Sequence, residues 1–243
     1  MPLVTKIGSG RPILCLHGSP GDRETWARVA ALRPEGYSLW LMEFVDHGDA
    51  PDSEEGVVAY ERDLESVIAS AGAKVVLCGL SLGAFLAIRM ANKLGDRIER
   101  IVASGGFVEF SPEEMDMRRR AVAALRAGTP TGALLASMMD SFVPRAELDA
   151  ETERIIRRVE EQSPARFIRA IERIFQMGVG ETRLKPYATP TTLLHARGDT
   201  LVPLHHGEQL AALGSDAKLV VLEAGSHMLP LSHAQDFARE LFR

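Results

Sequence analysis

The sequence predicts an α/β fold in which a mostly parallel central sheet carries helices on both faces and an inserted group of four helices interrupts the run of strands. Three observations predict it. Apolar, β-rich runs alternate with helical patterns from the start of the chain. Those runs are apolar throughout, as strands covered on both faces must be. From about Gly106 to Pro186 no strand candidate appears, and then the alternation resumes. On this reading residues 1–106 and 187–243 form the core, and 107–186 form a helical cap over it.

The strand candidates before the break are Pro12 to His17, Ser38 to Phe44, Lys74 to Leu80 and Ile98 to Ser104, with helical segments between them. After it come the run Thr191 to Ala196, a helix from about Leu204 to Leu213, the run Lys218 to Leu222, and a last helix from about Ser232. Within the break, Ser111-Pro112-Glu113-Glu114 reads as a capping box with proline at the first helical position. Ser163-Pro164 repeats the signal, and Thr129-Pro130 is a weaker version of it. Spacings of three and four put Leu134, Leu135, Met138, Met139 and Phe142 on one helix face. The same spacings unite Phe167, Ile168, Ile171, Ile174 and Phe175. These stripes either pack against one another or give part of their Met and Phe surface to a substrate pocket, for which Met138, Met139, Phe142 and Phe107 are the candidates.

At 243 residues the chain is long enough for one domain with a large insertion. A charged fraction of 25% and a formal net charge of -5 argue against a phosphate-binding surface, so nucleic acid is not an expected partner. The two cysteines, Cys15 and Cys78, each lie in an apolar run and are expected as reduced core thiols; two alone cannot close a zinc site. No metal and no cofactor is expected. The first residues show no basic segment followed by an apolar one, and no run approaches the roughly 18 apolar residues that span a bilayer. A cytoplasmic protein without membrane contact is the expectation.

Gly79-Leu80-Ser81-Leu82-Gly83 directly follows the strand ending at Cys78 and precedes a helical run to Leu94. A serine attacks carbonyls only when it is thrust out of the sheet, where a base can reach it and donors flank it. A sharp strand-to-helix turn achieves this at the cost of backbone strain, and the residues two positions either side must be small. Ser81 is the candidate nucleophile. The helix beginning at Leu82 also aims unpaired amides at a developing oxyanion. His17-Gly18-Ser19-Pro20-Gly21 leaves an upstream strand where a second donor is needed, so the Ser19 and Leu82 amides are the expected pair. His17 itself is expected to be structural, hydrogen-bonded to backbone.

With these motifs the chain resembles the α/β-hydrolase superfamily over essentially its whole length, and within it the small capped carboxylesterases such as the pimeloyl-carrier-protein methyl ester esterases. The resemblance implies an ester substrate and the chain order Ser, then Asp or Glu, then His. Asp199, in the turn Arg197-Gly198-Asp199-Thr200, meets the acid position, and His227, in Gly225-Ser226-His227-Met228, meets that of the base. His205, His206 and His233 fall at helix starts, and His195 lies within a strand. One segment departs from the pattern: Val45-Asp46-His47-Gly48-Asp49 stands where such proteins carry a Gly-His/Phe-Gly turn.

Serine at the elbow argues against the dehalogenase and epoxide-hydrolase relatives, which use aspartate there. Ser19, in place of a second glycine, argues against the iminopeptidases. The competing functions are an acyltransferase or thioesterase with the same triad, and a ligand-binding receptor that turns over slowly. A lyase would add a pocket lysine, and none stands near the motifs. Arg118 to Arg120, with Arg157 and Arg158, read as solvated helix faces; the resemblance adds an alternative, docking of an acidic acyl-carrier protein.

Overall fold

The computed structural model describes residues 2–243. Its strands are β1 (Leu3–Gly8), β2 (Arg11–Leu16), β3 (Tyr37–Glu43), β4 (Val75–Leu80), β5 (Ile98–Ser104), β6 (Thr191–Ala196) and β7 (Ala217–Leu222). They form one sheet in the order β1-β3-β2-β4-β5-β6-β7. β1 runs antiparallel to β3, and every other pairing is parallel. The six central and distal strands lie where the apolar runs predict them. The edge strand β1 was not among the expected strands: its Leu-Val-Thr-Lys-Ile-Gly mixes polar with apolar residues and stays largely open to solvent. Gly8 and Gly10, both at positive φ, turn it directly into β2.

The pleat sends alternate side chains to opposite faces. Ile13, Cys15, Val76 and Cys78 pack on one side with Trp26, Val29, Phe237 and Leu241, which come from a short turn and α1 (Ala27–Ala31) and from the carboxyl-terminal helix. Leu14, Leu16 and Leu77 pack on the other, against α2 (Val57–Ser70) through Tyr60 and Leu64 and against α3 (Leu82–Leu94) through Phe85 and Ile88. Each such side chain contributes roughly 1.5–3 kcal/mol when fully buried, so these two layers stabilise the sheet without cross-links. Cys15 and Cys78 sit opposite each other in the β2/β4 register as free, buried thiols.

Between β5 and β6 lie α4 (Pro112–Arg126), α5 (Thr131–Phe142), α6 (Ala150–Arg157) and α7 (Pro164–Ile174). Ser111 and Glu114 make the reciprocal bonds of a capping box, and Ser163 caps α7 through the Arg166 amide. The cap expected at Thr129-Pro130 is not made. Pro130 is extended and precedes α5, which starts at Thr131 with no side-chain cap. Asp149 instead supplies an unanticipated cap to α6, accepting from the Thr152 amide at 2.8 Å. Leu135, Phe167 and Ile171 join Val122, Leu125 and Val159 in one apolar cluster. Met139 joins Val143, Ile155 and Ile156 in another.

After β6 come α8 (Leu204–Leu213) and, beyond β7, α9 (Leu229–Ser232) and α10 (Ala234–Leu241). The final helix expected from about Ser232 is α10, which starts at Ala234; the short α9 before it was not expected. Among the described residues no helix is long and apolar enough to cross a membrane.

Candidate active site

The chain leaves β4 at Leu80 and enters α3 at Leu82, so Ser81 sits alone between strand and helix. Its backbone lies at φ 55, ψ -112, a region that L-residues avoid and that persists only where neighbours over-determine it. Two glycines make the turn possible. A Cβ at Gly79 would lie 2.5 Å from the Gly83 carbonyl carbon, and one at Gly83 would strike the Leu16 carbonyl. The Ser81 amide is spent on the Ser104 carbonyl at 2.9 Å. The next amide, that of Leu82, heads the helix, where first-turn donors go unpaired. Among the described residues neither it nor the Ser19 amide finds an acceptor.

The loop holding Ser19 passes close to the serine: a Cβ at Gly18 would lie 3.2 Å from Ser81 Cβ. His17 anchors it. Nε2 accepts the Phe44 amide at 3.2 Å, which leaves Nδ1–H to donate to the Gly18 carbonyl at 2.7 Å. Burial pushes the His17 imidazole down to about 4, the Gly18 bond opposing only in part, so the ring is neutral. His47, from the segment that departs from the resemblance, holds the Ser19 hydroxyl at 3.0 Å. Asp46 beside it is fully buried at φ 65. It is ion-paired with Arg169 (3.3 Å) and Arg173 (3.2 Å) of α7.

Asp199 and His227 leave the carboxyl ends of β6 and β7, and Asp199 Oδ2 meets His227 Nδ1 at 2.7 Å. Oδ1 accepts the Leu201 and Val202 amides at 3.0 and 2.9 Å. Burial raises the Asp199 carboxyl, but the facing imidazole and these bonds outweigh it and hold it below the ordinary carboxylate value. Gly105, unremarked in the sequence, makes room for the ring: a Cβ there would lie 2.8 Å from His227 Cε1, and its φ is +55. Ser81 and His227 open onto one cavity. In this geometry no hydrogen bond joins them, and such contacts are commonly long until substrate is engaged.

The other histidines do not line this cavity, although His195 Nε2 lies 3.8 Å from Asp199 Oδ2. His195 Nε2 bonds to the Val202 carbonyl at 2.7 Å, while His205 and His206 face Glu114 at 3.4 and 3.1 Å. That trio brings its ligand atoms within 4.8 Å of one another, with Glu114 already committed to the Ser111 cap. His233 contacts Ser232 and Glu147.

The cavity runs between the carboxyl edge of the sheet and the inserted helices; a second, smaller one adjoins it and shares Ser19, Pro20, Leu135, Phe142 and His227. Met138 and Phe142 line the larger one. Met139 and Phe107 line neither, a correction to the expected pocket. Met139 turns to the other side of α5, onto Ile155 and Ile156, and Phe107 is stacked between Phe85 and Phe110. The arginine run also divides. Arg119 and Arg120 are exposed, but Arg118 turns inward over the Phe110 ring at 3.6 Å and lines the cavity, so it is no solvated face. Arg157 and Arg158 are held by Glu153 and Asp22.

A family model described as "Alpha/beta hydrolase family" matches residues 13–240. The pimeloyl-[acyl-carrier protein] methyl ester esterase of Aromatoleum aromaticum is 24% identical over 240 residues, covering 93% of this chain and 94% of that protein. Among solved structures, a thermophilic esterase from Thermogutta terrifontis aligns with TM-score 0.82 at 22% identity, over 99% of this chain and 91% of its own. An esterase from Exiguobacterium antarcticum aligns with TM-score 0.86 at 18% identity, over 99% and 94%. At those identities the structural likeness speaks for the fold.

Proposed function

The chain belongs to the alpha/beta hydrolase family and is an enzyme of the carboxylesterase kind; on that premise we propose that it is a serine hydrolase acting through an acyl-enzyme on Ser81. Its substrate is a carboxylic ester, or a lactone or thioester, of a small to medium acyl group. One observation carries the reading: a serine at a strained strand-to-helix turn shares a cavity with an imidazole whose far nitrogen is bound by a buried carboxylate at 2.7 Å.

Ser81 Oγ attacks the carbonyl carbon while His227 Nε2 takes its proton, and the Ser19 and Leu82 amides stabilise the oxyanion. The ester C–O bond then breaks and the alcohol leaves with the proton from His227. Water attacks the acyl carbon and gives a proton to His227, which returns it to Ser81 Oγ as the acyl C–Oγ bond breaks and the acid leaves. Asp199 keeps the proton on Nδ1 and stabilises the imidazolium. Residues 107–186 act as a cap whose α4, α5 and α7 wall the cavity over Ser81, and the two buried thiols suit a cytoplasmic setting. The test is steady-state turnover of p-nitrophenyl esters of graded length. Ser81→Ala should lower kcat on the order of 10⁴- to 10⁶-fold. Turnover unchanged by that substitution overturns the proposal.

A second reading, an ester presented on an acyl-carrier protein, is favoured by the substrate that the name of the Aromatoleum relative carries. The surface available for it is narrower than the sequence suggests, since Arg119 and Arg120 are what remains exposed of the run and Arg120 pairs with Asp116 at 3.2 Å. Reversing both charges should slow hydrolysis of a carrier-linked ester relative to the free one. An unchanged ratio rejects the docking.

A further inference from the structure

Arg118 is a cation without a counter-ion beside the nucleophile. Its guanidinium lies over Phe110 at 3.6 Å and donates to two main-chain carbonyls, Glu114 at 3.0 Å and Leu201 at 2.8 Å. Among the described residues no carboxylate forms an ion pair with it. Arg157, Arg158, Arg166, Arg169 and Arg173 of the same helical insertion are each paired with an acid, and Arg119 and Arg154, which have no acid partner either, are exposed to water. Two of the five N–H groups of the fork are used, and Arg118 lines a cavity whose walls, apart from Ser19, Pro20, Ser81 and His227, are Met, Leu, Phe, Ile and Ala side chains and which no Asp or Glu lines. Burial pulls Arg118 down to about 10, with Glu114 and Asp199 opposing, so it stays charged at neutral pH.

A charge taken from water without a partner is costly, and a guanidinium fork matches a carboxylate in bidentate geometry. We propose that Arg118 is the specificity residue of this site and that the substrate is an ester bearing a carboxylate, whose anionic end meets Arg118 while its carbonyl meets Ser81. This rests on the serine-hydrolase reading and adds the substrate class. An uncharged ester would leave the guanidinium unpaired; an anionic one lacking the apolar stem would forgo the walls.

The test compares monomethyl esters of dicarboxylic acids, from succinate to suberate, with methyl esters of monocarboxylic acids of equal length. A second arm carries the carboxylate on the alcohol half. With the unaltered enzyme, kcat/KM should be at least tenfold higher for the charged member of a pair in one of the arms, with an optimum at one chain length. The ratio should collapse in Arg118→Gln and recover only in part in Arg118→Lys, which keeps the charge and loses the fork. No preference in either arm, or an Arg118→Gln enzyme that loses charged and neutral esters equally, overturns the proposal and leaves Arg118 as a tether between α4 and the Leu201 loop. If no ester is turned over at all, the serine-hydrolase reading fails separately. Binding of monomethyl adipate against methyl hexanoate to Ser81→Ala by calorimetry then still decides: tighter binding of the anion, lost with Arg118, supports the assignment, and equal binding refutes it.

Discussion

The Ser19 hydroxyl stands 3.0 Å from Nε2 of His47 and 2.9 Å from the Ala170 carbonyl, so one small side chain ties the loop beside Ser81 to both the Val45–Asp49 segment and α7. His47 Nδ1 faces the Val45 carbonyl at 2.9 Å. Burial, reinforced by the nearby His17 and arginines, pushes the His47 imidazole well below its usual range. The ring is therefore neutral; with Nδ1–H donated to Val45, Nε2 and the Ala170 carbonyl share the single proton of the Ser19 hydroxyl. Ser19→Ala keeps the main-chain amide but removes the tether. Misplacing a donor by an ångström can cost about 100-fold in rate, so kcat should fall ten- to a hundredfold with KM little changed. A kcat within a factor of two of the parent would show that the loop needs no such anchor.

Gly105 holds room for the imidazole of His227, and Ala there brings two penalties together: a positive φ and a Cβ 2.8 Å from Cε1. The ring must move off Asp199 or the β5 end must shift. Gly105→Ala should lower stability by about 1–2 kcal/mol and kcat by on the order of 100-fold. Denaturant unfolding and ester turnover measure the two effects separately.

How much of this was legible in the sequence depended on whether a local rule governed the residue. Continuous apolar runs identify β2 to β6 because strands covered on both faces have little polar side to interrupt them; β7, an edge strand half open to water, is still marked by its run at residues 219–222. β1, the other edge, escaped because Thr5 and Lys6 interrupt its apolar residues. Ser81, Asp199 and His227 are marked by turn chemistry at strand ends, and the structure brings Asp199 to His227 and puts Ser81 and His227 on one cavity. Met138 and Met139 could not be separated, since neighbours on a helix differ by about 100° and the partner surface decides which one is covered. Arg118 was invisible for the same reason. A charge run says nothing about which member turns inward, and only the aromatic face of Phe110 and the Leu201 carbonyl settle that. Gly105 carried a weak signal, a Gly-Gly pair at a strand end next to the elbow.

The lowered His17 imidazole makes a statement about acid stability. The unfolded chain takes up a proton near pH 6.5, whereas the native ring resists it down to about 4. Between those values the unfolded state binds more protons, so stability is lost as the pH falls through the window, by at most roughly 3 kcal/mol from this group. His47 adds in the same direction. Asp199, held below its ordinary 3.8, loses its contribution only at lower pH. Urea midpoints measured at pH 7, 5.5 and 4.5 should fall, and His17→Asn should flatten the fall. A midpoint constant from pH 7 to 4.5 would contradict the burial of a neutral ring.

Asp46 and Asp52 both pair with arginines of α7, but Asp52 is 57% exposed on its side chain and Asp46 is 0%. A solvated pair contributes at most about 1 kcal/mol, whereas removing one partner of a buried pair leaves the other charge stranded. Asp46→Asn keeps a residue that tolerates positive φ, so the lost charge is what it reports. The expected cost is about 2–3 kcal/mol, reduced from the full buried value because Arg169 is itself 29% exposed. Asp52→Asn should cost less than about 1 kcal/mol. Equal costs in urea unfolding would mean that α7 is held by its apolar stripe alone.

Met138 and Met139 offer the sharpest separation of pocket from packing. Met139 is 5% exposed among Val143, Ile155 and Ile156, so Met139→Ala opens a hole between helices and should cost about 2–5 kcal/mol. Met138 lines the cavity over Ser81, and truncating it enlarges space that substrate can occupy, at a smaller cost in stability. Met138→Ala should therefore move the ester of highest kcat/KM toward a longer chain, by one or two methylenes, each worth roughly 0.8 kcal/mol when buried. Met139→Ala should leave the preferred length where it was. If Met139→Ala shifts the length profile and Met138→Ala does not, α5 presents a different face to the substrate than the one described.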